Sequence, residues 1–216
     1  MHVPNSLRVG ATALLIAATV SSVTSPAPAA AAPANIAGMI VFLDPGHNGA
    51  NDASISRQVP TGRGGTKDCQ ASGTSSNSGY PEHTFNWDTT CGYGQHSPNS
   101  ACAPRCRAAT TTRCPCVDER AAMANAIRPN AIVSIHADGG PANGRGFHVL
   151  YSSPPLNTAQ AGPPAIQFAQ VMRDQIQGSG IPPANYIGSG GLDARSDIAG
   201  LNLAQYPPRS SSSAAT

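Results

Sequence analysis

Two short apolar runs constrain this chain more than any other feature. "GMIVFLD" (38–44) and "AIVSI" (131–135) are continuous rather than alternating, the pattern of strands covered on both faces. A third run, "GFHVLYSS" (146–153), has the same character. Between them lie segments with helical signals. "YPEHTFNWDTT" places Pro81 at a first helical position, and "VDERAAMANAIRPN" (117–130) carries its acids early and Pro129 near its end. "PPAIQFAQVMRDQIQGSG" is amphipathic, with Phe168, Val171, Met172 and Ile176 on one face and Gly178 at the stop. Strands alternating with helices predict an α/β fold, a single domain built on a mixed sheet flanked by helices.

At 216 residues there is room for one domain plus tails. A net charge of +2 with 11% charged residues gives no electrostatic case for nucleic acid. The N-terminus reads as an export signal: Arg8, then "ATALLIAATV", then small-residue cleavage sites around Ala30 to Ala32. An apolar stretch of about ten residues is too short to span a bilayer. Residues 1–32 are therefore expected to be removed, leaving an exported chain, in the periplasm, cell wall or medium, with no membrane span. Export permits disulfides. Residues 48–80 are Gly/Ser/Asn/Thr-rich with little periodicity, and a loop of that length is functional or mobile.

Each of the first two apolar runs ends on a histidine, His47 after "DPG" and His136 directly after "AIVSI". In open α/β sheets ligands sit at the carboxyl ends of strands. Two imidazoles at that end are two of the three protein ligands that catalytic zinc takes, the fourth position being left for water. The third ligand must be His, Asp, Glu or Cys. Glutamate is scarce, with only Glu82 and Glu119 present. Glu82 follows Pro81 at a helix start, whereas the place of Glu119 in a helix first turn is explained by the helix dipole. His83, turned off the helix face that carries Glu82, and His148, inside a strand, are weaker candidates. A lone histidine is more often structural, and only the pairing favours a site.

Taken together, "FLDPGHNG", "YPEHTFN" and "SIHADGG" resemble the ligand motifs of the zinc N-acetylmuramoyl-L-alanine amidases of the type-3 family, especially the single-domain mycobacterial and actinobacterial ones. The resemblance covers residues 35–90 and 116–207 and extends to "GRGFHV" and "DIAGLNLAQYP". It implies Zn2+ held by His47, Glu82 and His136. It implies cleavage of the amide between the lactyl group of muramic acid and L-alanine, in peptidoglycan or muramyl peptides, by a monomer. Zinc would activate the water and polarise the carbonyl, and a separate carboxylate would move the proton. A disulfide between Cys69 and Cys116, the cysteines outside 91–115, is expected of the family fold.

Two segments depart from the family. Residues 91–115 hold four of the six cysteines and almost no aliphatic residue. A zinc knuckle from Cys102, Cys106, Cys114 and Cys116 lacks a firm C-x-x-C pair. The text after Tyr206, "PPRSSSSAAT", contains no carboxylate, although the family places its catalytic glutamate there in a strand like "ILVELGN"; the acids after His136 are Asp138, Asp174, Asp193 and Asp197. With GC-rich codons, a neighbouring reading frame turns the first segment into "LRLRAALTEQRLRTALSRGDDNSLPV" and the tail into "ILVERGN". The chain is thus expected to be a frameshifted product, or its gene to carry base-calling errors. The amidase domain is expected over 36–207, with 91–115 and 208–216 aberrant. A helix–strand unit and the C-terminal strand would be disrupted, a sheet edge left open and activity impaired. The competing reading is a zinc-retaining, non-hydrolytic peptidoglycan-binding protein. A common zinc peptidase is disfavoured by the missing H-E-x-x-H.

Overall fold

The computed structural model describes residues 38–49, 52–92, 100–102, 115–155, 163–205 and 209–215. The first apolar run forms β1 (Val41–Pro45), and the second forms β5 (Ala131–Asp138). They pair directly and in parallel, with Pro45 opposite Ile135, so both strands deliver their carboxyl ends to the same rim. His136 lies inside β5, two residues before its end, rather than beyond the strand as expected. The reason is the main-chain pairing that continues to Asp138.

The third run is β6 (Phe147–Ser152). Two short strands, β2 (Gln58–Pro60) and β3 (Thr66–Asp68), pair antiparallel as a hairpin. The helices are α1 (Glu82–Trp87), α2 (Val117–Ala126), α3 (Pro163–Gly178) and α4 (Ala199–Asn202). β4 (Ser100–Cys102), β7 (Leu192–Arg195) and β8 (Arg209–Ala215) complete a six-stranded sheet of order β4-β1-β5-β8-β6-β7. Only the β8–β6 junction is antiparallel, so the sheet is mixed.

The two suspect segments correct the expectation of lost strands. β8 pairs with β5 on one side and β6 on the other, so no edge opens there. β4 pairs with β1. A strand's ladder is made by main-chain groups, and a Ser/Ala run without proline supplies every donor and acceptor it needs. Contacts gather into a unit from Ala37 to Thr216, and β8 lies inside it rather than in a detached tail. The proposed signal at 1–32, most of 91–115 and residues 206–208 fall outside the described residues. Among those described, no helix is long and apolar enough to cross a membrane.

The core lies on both sides of the sheet. Phe42, Ile132 and Ala124 of α2 form one cluster, and Phe147, Val149 and Ala169 of α3 form another. Because side chains alternate along a strand, and His136 and His148 share a row through β8, Ile132 and Val149 face opposite ways. Helices therefore cover both faces, which is why the strands read as unbroken apolar runs. In α3, Met172 and Ile176 pack on the second cluster, but Val171 is 56% exposed and falls off the stripe assigned to it. Pro81 is the N-cap of α1 rather than its first turn, with extended ψ of 143°.

The long loop is not structureless. Asp52 caps a 3-10 turn at 53–56, the β2–β3 hairpin follows, and Cys69 is bonded to Cys116 at the start of α2. That bridge occupies Cys116, which removes it from any zinc knuckle.

Candidate metal centre

His47, Glu82 and His136 converge, their potential ligand atoms all within 4.8 Å of one another. Glu82 is the hub. Its Oε1 lies 3.2 Å from His47 Nε2 and 3.1 Å from His136 Nδ1, and the residue is 4% exposed. Glu82 opens α1, and main-chain donors hold its carboxylate from two sides: Thr74 N–H reaches Oε2 at 2.8 Å and Ala137 N–H reaches Oε1 at 3.1 Å. Burial resists ionisation of this carboxyl. The hydrogen bonds from His136 and His47, the charge of His47 and the Thr74 N–H outweigh it and hold the group well below the usual carboxylate range.

The tautomer of His47 follows from its other nitrogen. Nδ1 lies 2.9 Å from the carbonyl oxygen of Ala71, which can only accept, so Nδ1 carries a hydrogen. Nε2 of His47 then points at the Glu82 carboxylate, 3.2 Å from Oε1. With both imidazoles on one carboxylate oxygen, the three side chains are gathered closely enough to share a single cation. A buried carboxylate and two imidazoles fit zinc, and the Ala71 contact is the outer hydrogen bond that usually orients a histidine ligand.

Close packing requires glycine at two positions around this cluster. A Cβ on Gly46 would land in the His136 ring, and one on Gly73, at φ +76°, would meet Glu82 Oε2 and the His47 ring. His47 itself has φ of 64°, a left-handed conformation that costs a non-glycine residue about 1–2 kcal/mol. Arg120 contacts the same segment. From α2 its guanidinium bonds Asp44 Oδ1 and the Pro45 carbonyl at 2.7 Å, Asn48 Oδ1 at 2.7 Å and the His47 carbonyl at 2.9 Å. Neither Arg120 nor the two glycines stood out in the sequence. The available signal was an arginine on the buried Arg120–Ala121–Ala124 stripe of a helix, where apolar residues belong.

The cluster opens on a cavity of 480 Å³, whose walls also include Lys67, Asp138, His148, Arg195 and Asp197. Tyr186 donates to Asp138 Oδ2 at 3.1 Å; burial and the Asp138 charge push its phenol up to about 12, so the hydroxyl stays a donor. His148, fully buried in β6, lies 3.4 Å from the same oxygen, and burial lowers its pKa despite that carboxylate. His83 is not part of the group.

A profile of the Amidase_3 family, described as N-acetylmuramoyl-L-alanine amidase, matches residues 41–187, which spans every member of the cluster. The chain belongs to this amidase family. This amidase is 67% identical over 197 residues to N-acetylmuramoyl-L-alanine amidase Rv3717 of Mycobacterium tuberculosis, a match covering 90% of this chain and 79% of the relative. Among solved structures, it matches the amidase Ami1 of Mycobacterium smegmatis with a TM-score of 0.76 and 67% identity, covering 84% of this chain and 83% of that one. The apo form of Ami1 from Mycobacterium abscessus follows at 0.74 and 54%, covering 82% and 83%. An amidase from Clostridium difficile 630, 17% identical with a TM-score of 0.52, shares the fold over 81% of this chain and 77% of its own.

Proposed function

We propose that this amidase cleaves the amide joining the lactyl group of N-acetylmuramic acid to L-alanine in peptidoglycan fragments, with His47, Glu82 and His136 holding zinc. The observation that carries the reading is the convergence of two imidazoles on one oxygen of a buried carboxylate, Glu82 Oε1 lying 3.2 Å from His47 Nε2 and 3.1 Å from His136 Nδ1. When bound there, zinc would supply an activated water and a Lewis acid for the amide carbonyl. The chain's own contribution is to fix the donors and bound a cavity whose 480 Å³ lies in the usual range for small-ligand sites. Export as a monomer belongs to the same reading.

Proton transfer is where this chain is weak. Besides Glu82, the carboxylates lining the cavity are Asp44, Asp138 and Asp197. Asp44 accepts from Arg120 and Ser134, Asp197 is gripped by Arg195 at 2.8 and 2.7 Å, and Asp138 takes the Tyr186 hydroxyl. Each is already engaged, so slow turnover is expected.

The test is incubation of the zinc-loaded protein with muramyl dipeptide, read by mass spectrometry. Free N-acetylmuramic acid and intact L-Ala-D-isoGln are expected, with the reaction stopped by a chelator and restored by zinc. Cleavage inside the dipeptide would make this a peptidase. Substrate binding without product would favour the non-hydrolytic reading.

We also propose that the Cys69–Cys116 bridge forms in the exported protein. It links positions 47 residues apart, so chain entropy alone assigns it about 4 kcal/mol. Cys69→Ser is expected to lower the thermal midpoint by about 5–15 °C. An unchanged midpoint, or a free Cys69 thiol in non-reduced peptide maps, would contradict the bridge.

A further inference from the structure

We infer that Arg120 is the positioning residue of the metal centre, a clamp that sets the direction of His47. The inference rests on the metal reading above. Arg120 is 4% exposed, and its two terminal nitrogens bracket residues 44–48: Nη1 takes Asp44 and the Pro45 carbonyl, and Nη2 takes the His47 carbonyl and Asn48. These bonds grip the main chain on both sides of the Gly46 turn.

The grip matters because His47 is in the left-handed region, φ 64°, which non-glycine residues adopt uncommonly, histidine more readily than most. Relaxing that φ would swing the imidazole away from Glu82 and break its bond to Ala71. Arg120 is itself anchored. Its helix begins one residue after Cys116, whose disulfide partner Cys69 also accepts the N–H of Val117 at 3.1 Å. Two residues beyond Cys69, the Ala71 carbonyl sets the His47 tautomer. One framework therefore holds both the backbone and the ring of this ligand.

A buried arginine that merely neutralised Asp44 would need one carboxylate contact. The structure shows two main-chain carbonyls and Asn48 as well, a planar fork that a lysine ammonium cannot reproduce.

Arg120→Lys separates the two roles, because it keeps the charge beside Asp44 and loses the fork. Cobalt(II) is the probe, titrated into metal-free wild type and variant, with circular dichroism and thermal midpoints recorded for both. The clamp predicts a folded variant whose cobalt affinity falls about 10–100-fold, the usual effect of losing an outer-shell partner, with an altered visible spectrum from the displaced ligand. Wild-type affinity and spectrum in Arg120→Lys would overturn the clamp alone. A wild type that takes up no cobalt would overturn the metal reading and the clamp with it. Should Arg120→Lys not fold, Asp44→Asn keeps the shape but loosens the guanidinium. It is expected to weaken cobalt binding about tenfold, and an unchanged affinity there would equally overturn the proposal.

Discussion

A copy of this chain with both suspect segments rewritten, the first to "LRLRAALTEQRLRTALSRGDDNSLPV" and the tail to "ILVERGN", should release stem peptide from muramyl dipeptide about 10²–10⁴-fold faster. That factor is what a positioned general base typically contributes, and residues 207–216 as they stand contain no carboxylate. The new group needs no new topology. The backbone of β8 already runs between β5 and β6, with His136 and Ser213 as Cα partners, so a carboxylate carried at that register would stand beside His136. An apolar strand in the middle of the sheet would also add burial at about 25 cal/mol per Å² of apolar surface, raising the folded fraction. The comparison is made at equal zinc loading. Equal rates would mean that Asp138, Asp193 or Asp197 already accepts the proton, despite their present partners.

How much was legible follows from what each element uses to declare itself. α2 packs on Phe42 and Ile132 and α3 on Phe147 and Val149, one on each face of the sheet, and β1, β5 and β6 read as apolar runs that need little context. The candidate cluster was legible for a related reason. His47 and His136 mark the ends of two strands that pair in parallel, and equivalent positions on such neighbours meet at one rim. Glu82 was harder, since its role depends on the 72–74 segment folding over it, and scarcity of glutamate together with the family motif pointed there. β8 was illegible because "RSSSSAA" has no hydrophobic pattern; its strand character comes wholly from backbone pairing with neighbours distant in sequence. The hairpin of β2 and β3 is too short to show alternation, with Val59 its one buried residue. Arg120 was hidden by its setting, a helix first turn with the acids Asp118 and Glu119, where charge has an ordinary explanation.

The second large effect concerns the metal. His136→Ala is expected to strip zinc from the protein. Zinc affinity of roughly 10–16 kcal/mol, the range for four-ligand structural sites, leaves about 2.5–4 kcal/mol for each ligand. At about 1.4 kcal/mol per factor of ten, loss of one raises the dissociation constant by roughly two to three orders of magnitude. The His136 side chain is 29% exposed at the mouth of the cavity and supports no core cluster, so the variant should still fold. Removing the ring also frees Glu82 of one neighbour, leaving the buried carboxylate with His47 and the N–H groups of Thr74 and Ala137.

Zinc content of the purified wild-type chain and of His136→Ala, each dialysed against the same low free-zinc buffer, tests the central claim most directly. The account predicts one zinc per chain in the wild type and close to none in the variant, with matching circular dichroism. A zinc-free wild type, or equal stoichiometry in the two proteins, would contradict it.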